Sequence, residues 1–143
     1  MIIGGNAKKY NLLEEYRALV QQLGLNERIE LIGATQNVTD YYRKAKIFAF
    51  TSSSEGFPNV IGEAMSFGIP VIAYDCLAGP SDLIEDDQTG FLIEERNQKV
   101  YEQKLSKLMQ EQDLRNRLGA KSVEKIKDFD AEKITQQFFD FVL

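Results

Sequence analysis

Short apolar runs that stop at glycine or at small polar residues alternate along this chain with stretches of helical periodicity. That alternation narrows the fold to a parallel sheet assembled from βα units, with helices on both faces. Met1-Ile2-Ile3 reads as a strand ending at Gly4-Gly5. Leu12 to Leu23 reads as an amphipathic helix, with Leu12, Tyr16, Leu19, Val20 and Leu23 at helical spacing and Gly24 at the C′ position. Ile29 to Ile32 is a strand ending at Gly33, Val38 to Ala45 a helix, and Ile47 to Thr51 a short buried strand. A helix is expected from about Val60 to Phe67, stopping at Gly68, and then a strand from Pro70 to Tyr74. Pro80 suits the first turn of a short helix, and Gly90 to Ile93 is a further strand. From Gln98 onward the pattern is helical to the end, marked by Leu105, Leu108 and Met109, then Leu114 and Leu118, then Ile134, Phe138, Phe141 and Val142. We expect an α/β fold in one domain over residues 1–143, followed by C-terminal helices. Because the chain opens directly in a strand, it reads as truncated at its first βα unit.

Composition excludes several kinds of chemistry. The 143 residues contain no His and one Cys, Cys76. This removes His-based acid–base catalysis, Ser–His triads, an internal disulfide and the usual zinc ligand sets. A single thiol fits a reducing, cytoplasmic setting. A net charge of −5 argues against non-specific nucleic-acid binding. No apolar run approaches the roughly 20 residues of a membrane span. Any phosphate bound here must be held by local geometry against an unfavourable global field.

The chemistry concentrates in the stretch from Glu55 to Ala73. It places Glu55 and Glu63 eight positions apart, across a loop that runs into a helix. The spacing alone carries nothing, because Glu94 and Glu102 share it, as do Glu124 and Glu132. Those pairs read as solvated acids in polar, helix-like surroundings. Glu55 and Gly56 instead sit just past the carboxyl end of a strand, where open α/β sheets bind ligands. A carboxylate there can accept two sugar hydroxyls, and Gly56 admits a ligand close to the backbone. Neutralising helix N-termini would be its structural use. Phe57, Pro58, Asn59 and Val60 lead into the helix. Pro58 has no N–H, so Asn59, Val60 and Ile61 are the expected free donors, a seat for a diphosphate. Asn59 can also simply cap the helix. Glu63, one turn further in, can reach a ribose diol, or can be only a favourable acid near a helix N-terminus.

Three other loops follow strand ends. Gly33, Ala34 and Thr35 can hold a flat base through backbone contacts, or form an ordinary βα turn. Lys8 and Lys9 are solvated, or reach a phosphate. Asp75 and Asp82 can contact a donor sugar or an acceptor, Asp82 being equally suited to the first turn after Pro80. Cys76 has no neighbouring basic motif to activate it and reads as a bystander. Val100 to Lys133 is rich in Lys, Glu and Gln and reads as the outer face of packing helices.

Taken together, Glu55-Gly56-Phe57-Pro58-Asn59-Val60-Ile61-Gly62-Glu63-Ala64-Met65 followed by Gly68-Ile69-Pro70-Val71-Ile72-Ala73 resembles the Glu-x7-Glu signature of retaining GT-B glycosyltransferases, family 4, the glycosyl transferases group 1. Ile2-Ile3-Gly4-Gly5, Ile32-Gly33 before Asp40-Tyr41-Tyr42, and Thr89-Gly90-Phe91-Leu92 fall in that family's order. The resemblance implies a Rossmann-like C-terminal, nucleotide-sugar-binding domain. It implies that Glu55 contacts the donor sugar as the catalytic acid residue, that the backbone from Gly56 to Val60 holds sugar and diphosphate, that Glu63 binds the ribose, and that Gly33, Ala34 and Thr35 hold the base. It further implies no metal and no cofactor beyond a nucleotide-sugar co-substrate, UDP-linked in the bacterial surface polysaccharide enzymes that this variant looks like. The acceptor would be a sugar or lipid-linked saccharide, met through a separate N-terminal domain, with the whole protein cytoplasmic or peripheral at the inner face of the plasma membrane. Pro58 stands where many members have Gly, and Asp82 where many have Glu. Nothing in the chain corresponds to the family's Arg and Lys that clamp the diphosphate, so the chain alone is expected to be inactive. Two alternatives remain at this point: a stand-alone nucleotide-binding or regulatory module, and another α/β enzyme such as an epimerase or dehydrogenase. The absence of His and of a G-x-G-x-x-G fingerprint counts against the last.

Overall fold

The computed structural model describes residues 2–3, 12–77 and 79–142. Packing divides the chain into two compact units, Met1–Tyr41 and Tyr42–Leu143. The first unit holds β1 (Ile2–Ile3), α1 (Leu12–Gln22) and β2 (Leu31–Gly33), with β1 and β2 paired in parallel. The helix α1 ends as its sequence requires. Gly24 has φ +66°, and the Leu25 N–H reaches back to the Val20 carbonyl at 3.0 Å. Of its apolar stripe only Val20 is buried; Leu12, Tyr16, Leu19 and Leu23 are exposed. The helix α2 (Val38–Tyr42) starts in the first unit and ends with the first residue of the second. It stops short of the expected Ala45, whose N–H turns back to the Tyr42 carbonyl.

The second unit is a three-stranded parallel sheet of β3 (Phe48–Phe50), β4 (Val71–Asp75) and β5 (Gly90–Glu94), in that spatial order. Between and after the strands come α3 (Asn59–Ser66), α4 (Pro80–Leu83), α5 (Gln98–Gln110), α6 (Gln112–Ile126), a 3₁₀ turn (Lys127–Phe129) and α7 (Ala131–Val142). The register pairs Ile72 with Phe91 and Tyr74 with Ile93, which places these four side chains on one face. Tyr101 and Leu108 of α5 and Leu114 and Leu118 of α6 join Ile72, Phe91 and Ile93 in one buried cluster, against which Tyr74 packs. Val71 and Ala73 point to the opposite face, which α3 covers with Ile61, Ala64 and Met65, all fully buried. The expected Rossmann-like arrangement, a parallel sheet with helices on both faces and further helices at the end, is therefore what forms.

Glycine sets the contact between α3 and α6. The helix α3 ends in a Schellman motif: Gly68, at φ +68°, donates to the Met65 carbonyl and Ile69 to the Ala64 carbonyl. The Gly68 carbonyl then approaches α6 so closely that a β-carbon on Gly119 would lie 2.0 Å from it.

One expectation fails in part. The apolar run predicts a buried β3, yet Phe48 and Phe50 are half-buried and Ala49 is exposed. Its only hydrogen-bonded neighbour among the described residues is β4, so it forms the sheet's edge. The helix α7 leaves its apolar residues exposed. None of its residues is buried, and Phe138, Phe139 and Phe141 are all exposed, along with Ile134 and Val142.

Two measurements follow. Gly119→Ala should destabilise the chain by about 1–2 kcal/mol net in urea denaturation, because overpacking strain of up to about 3 kcal/mol exceeds the roughly 1 kcal/mol that alanine adds to helix propensity. The apolar face of α7 should drive concentration-dependent association. A strict monomer in light scattering at high concentration would contradict that.

Candidate functional site

The parallel pairing of β3 with β4 continues past the strands. Ser54 and Leu77 form an isolated parallel bridge, so the two loops stay aligned beyond the carboxyl ends. Glu55 follows this bridge and is half-buried. Its carboxylate makes no hydrogen bond or ion pair among the described residues, an unusual condition for a partly buried charge. Beside it Gly56 is exposed, and a β-carbon there would meet nothing within 4 Å. An unpartnered acid next to open backbone suits a polyhydroxylated ligand.

The loop then closes on Pro58, which is fully buried. Gly79, at the start of α4, has φ +119°, and a β-carbon on it would lie 2.2 Å from Pro58 Cδ. The loop after β4 thus packs directly on the loop after β3, and only glycine permits it. Phe57 stays exposed, with its ring 6.2 Å from that of Phe129 in the 3₁₀ turn.

The expected diphosphate seat is thinner than three free donors. Asn59 does not cap the helix. It is the first residue of α3, and its N–H bonds to the Phe57 carbonyl at 3.0 Å. The N-cap is Pro58, whose carbonyl accepts the Ile61 N–H at 2.9 Å. Of the three, only the Val60 N–H has no acceptor among the described residues. The turn is tightened because Pro58 has neither an N–H nor a side-chain acceptor to organise a conventional cap.

Glu63 is exposed one turn into α3. Its Oε2 accepts a hydrogen bond from the Tyr42 hydroxyl at 2.9 Å. Tyr42 is buried, and its ring stacks on Phe67 at 5.5 Å between centroids. Burial, the bond to Glu63 and the charge of Glu63 push the Tyr42 phenol well above its ordinary range. Its pairing with Glu63 has no local sequence signal, since the two lie 21 positions apart.

The remaining candidates divide. Asp75 and Asp82 are both exposed, Asp82 in the first turn of α4. Cys76 is buried, and its thiol is pushed up, first by burial and then by the carboxylates of Glu55, Glu95 and Asp75. The same three acids make the strand-end surface electronegative. Gly33 ends β2 at φ +77° and is buried, and Ala34 is exposed. Thr35 Oγ1 accepts the Asn37 N–H at 3.2 Å, as in an ordinary βα turn. These three residues belong to the first unit, whereas Glu55 to Glu63 belong to the second. Lys8 and Lys9 lie outside the described residues. Of the control acids, Glu94 proves to be the last residue of β5, not part of a helix-like stretch, while Glu102, Glu124 and Glu132 are exposed helical acids. Among the described residues no three acid or thiol groups converge to hold a metal ion, and no helix is long and apolar enough to cross a membrane.

Compared with known proteins, the chain matches the family model for glycosyl transferases group 1 over residues 1–125. It is 28% identical over 142 residues to the amylovoran biosynthesis glycosyltransferase AmsD of Erwinia amylovora, covering 99% of this chain and 39% of that protein. It is 33% identical over 132 residues to a Campylobacter jejuni N-acetylgalactosamine-N,N'-diacetylbacillosaminyl-diphospho-undecaprenol 4-alpha-N-acetylgalactosaminyltransferase, covering 92% of this chain and 36% of that protein. A crystal structure of a Staphylococcus aureus TarM variant in complex with Fondaparinux, alpha-GlcNAc-glycerol and UDP superposes with a TM-score of 0.84 at 28% identity, over 97% of this chain and 28% of that one. The chain thus spans well under half the length of these relatives.

The burial of Cys76 is directly testable. A thiol that is both buried and raised in pKa presents little thiolate, so labelling by a disulfide reagent at pH 8 should run at least roughly tenfold slower than in urea. Equal rates in the two conditions would show that the strand-end loops do not enclose it.

Proposed function

The chain belongs to the glycosyl transferases group 1 family, related to bacterial polysaccharide glycosyltransferases, and on that premise we propose that it carries the donor site of a retaining glycosyltransferase. Family membership removes the epimerase and dehydrogenase readings. The observation that carries the proposal is Glu55: a half-buried carboxylate without a partner, at the carboxyl ends of parallel strands, beside a glycine with open space around it. In this reading Glu55 accepts hydroxyls of the donor sugar and is the catalytic carboxylate. The backbone from Gly56 to Val60 lies along the sugar and diphosphate, Glu63 takes the ribose, and Gly33, Ala34 and Thr35 take the base.

The donor is a UDP-sugar, carrying a hexose or N-acetylhexosamine. TarM was crystallised with UDP, and the Campylobacter relative is by name an N-acetylgalactosaminyltransferase. The acceptor is a sugar or lipid-linked saccharide, in keeping with the undecaprenol diphosphate in that relative's name. The reaction needs no bound metal and takes place in the cytoplasm or at the inner face of the plasma membrane. Residues 1–143 act as one nucleotide-sugar-binding domain.

Charge explains why this domain does not complete catalysis by itself. The leaving diphosphate accumulates negative charge in the transition state, and stabilising it is the largest task of such a site. Here the helix start offers one open N–H, at Val60, and the surroundings carry Glu55, Asp75 and Glu95. In this reading the cationic groups come from outside the described residues of the site, in the longer enzyme. The 143 residues therefore bind donor without turning it over.

Calorimetric titration with UDP, GDP and NAD checks the first part: UDP should bind, and NAD binding without UDP or GDP would overturn the reading. In the longer enzyme, Glu55→Gln should lower transfer by about 100-fold or more, in the range of a lost transition-state contact, while leaving UDP affinity within about twofold. Wild-type transfer by Glu55→Gln would remove Glu55 from the chemistry.

A further inference from the structure

The bond between Tyr42 and Glu63 has a use that the fold alone does not require. Tyr42 closes α2, and its ring is fixed by two aromatic neighbours: Phe67 at 5.5 Å and 26° between planes, and Phe48 at 6.0 Å and 52°. Phe48 belongs to the sheet and Phe67 is the C-cap of α3, so the ring is anchored to both layers. The hydroxyl therefore emerges at one place over the first turn of α3, with Glu63 Oε2 at 2.9 Å and the Val60 carbonyl at 3.4 Å. A phenol has one proton, and the shorter, charged acceptor takes it. Because burial and Glu63 keep that proton in place, the hydroxyl is a permanent donor across the pH range in which proteins work. Glu63 is exposed, and its other oxygen has no partner among the described residues. Left to itself, such a side chain samples many rotamers, and fixing it on binding costs affinity.

We propose that Tyr42 is a positioning residue for the ribose: its hydroxyl holds the Glu63 carboxylate in one orientation, leaving the second oxygen free to accept ribose hydroxyls. The inference rests on the reading of Glu63 as the ribose acceptor. A diol approaching Glu63 finds one wholly open oxygen and one that has already spent a lone pair on Tyr42. The open oxygen is thereby presented to the ribose hydroxyls in one direction, and the preference for ribose over a deoxy sugar depends on a residue that acts through Glu63. The bond does little for stability, since one of its partners is at the surface. Its value is orientation, and orientation is read by ligand discrimination.

The test compares UDP with 2′,3′-dideoxy-UDP by calorimetric titration of the chain and of the variants Tyr42→Phe, Glu63→Asp and Glu63→Ala. Wild type should prefer UDP. Tyr42→Phe should weaken UDP binding about three- to tenfold, as loss of one oriented hydrogen bond does, and leave the dideoxy affinity unchanged. A merely structural role would lower both affinities alike. Glu63→Asp keeps a carboxylate at an exposed position but withdraws it from the Tyr42 hydroxyl, so it should lose discrimination even if Tyr42→Phe folds poorly. Full wild-type discrimination in Tyr42→Phe or in Glu63→Asp, with discrimination lost in Glu63→Ala, would overturn the role of Tyr42 and leave the ribose reading intact. Equal binding of the two nucleotides by wild type, or no nucleotide binding at all, would overturn both.

Discussion

The contact between Pro58 and Gly79 is the constraint on which the candidate site depends. No β-carbon fits between them, so the loops after β3 and β4 approach as closely as only glycine allows. The bridge between Ser54 and Leu77 aligns the same two loops on the strand side of Glu55. Glu55 and Gly56 lie between these two fixed points. Their geometry is inherited from the backbone on both sides, and little is left to side-chain choice. A proline at this position is therefore not merely a departure from the commoner glycine. It trades backbone freedom and an N–H donor for a rigid apolar wedge against Gly79.

That trade has an electrostatic consequence. Without a capping side chain the start of α3 folds on itself, and the Asn59 and Ile61 N–H groups are used internally. The site keeps its carboxylates and loses donors. It is well suited to sugar hydroxyls, which need acceptors, and poorly suited to a diphosphate, which needs donors and cations. The neighbouring acids deepen the asymmetry, and the pushed-up thiol of Cys76 registers them. Among the described residues, the strand-end surface offers acceptors more readily than donors.

Much of this was legible in the sequence because each signal was local. Gly24 and Gly68 end their helices at the expected positions in left-handed conformations, and the β-branched run Val71-Ile72 forms the central strand. What was not legible depended on partners distant along the chain. Asn59 looks like a cap by residue type, but the cap is Pro58, because the loop geometry is decided by Gly79. Ile47 to Thr51 looks like a buried strand by hydrophobicity, but among the described residues it has one strand neighbour, which leaves it at the edge of the three-stranded sheet. Tyr42 is one aromatic among fifteen until the fold brings it to Glu63. Spacing could not separate Glu55 and Glu63 from the other glutamate pairs, and Glu94 also ends a parallel strand; what distinguishes the first pair is the open glycine beside Glu55 and the helix that starts just after it.

The ring contact between Phe57 and Phe129 reaches beyond the loop itself. Phe57 sits between Gly56 and Pro58, and Phe129 belongs to the 3₁₀ turn that leads into the exposed helix α7. Groups in contact respond jointly, so their free energies do not add. The loop that carries Gly56 and Pro58 is thereby joined, through one ring contact, to the turn from which α7 starts.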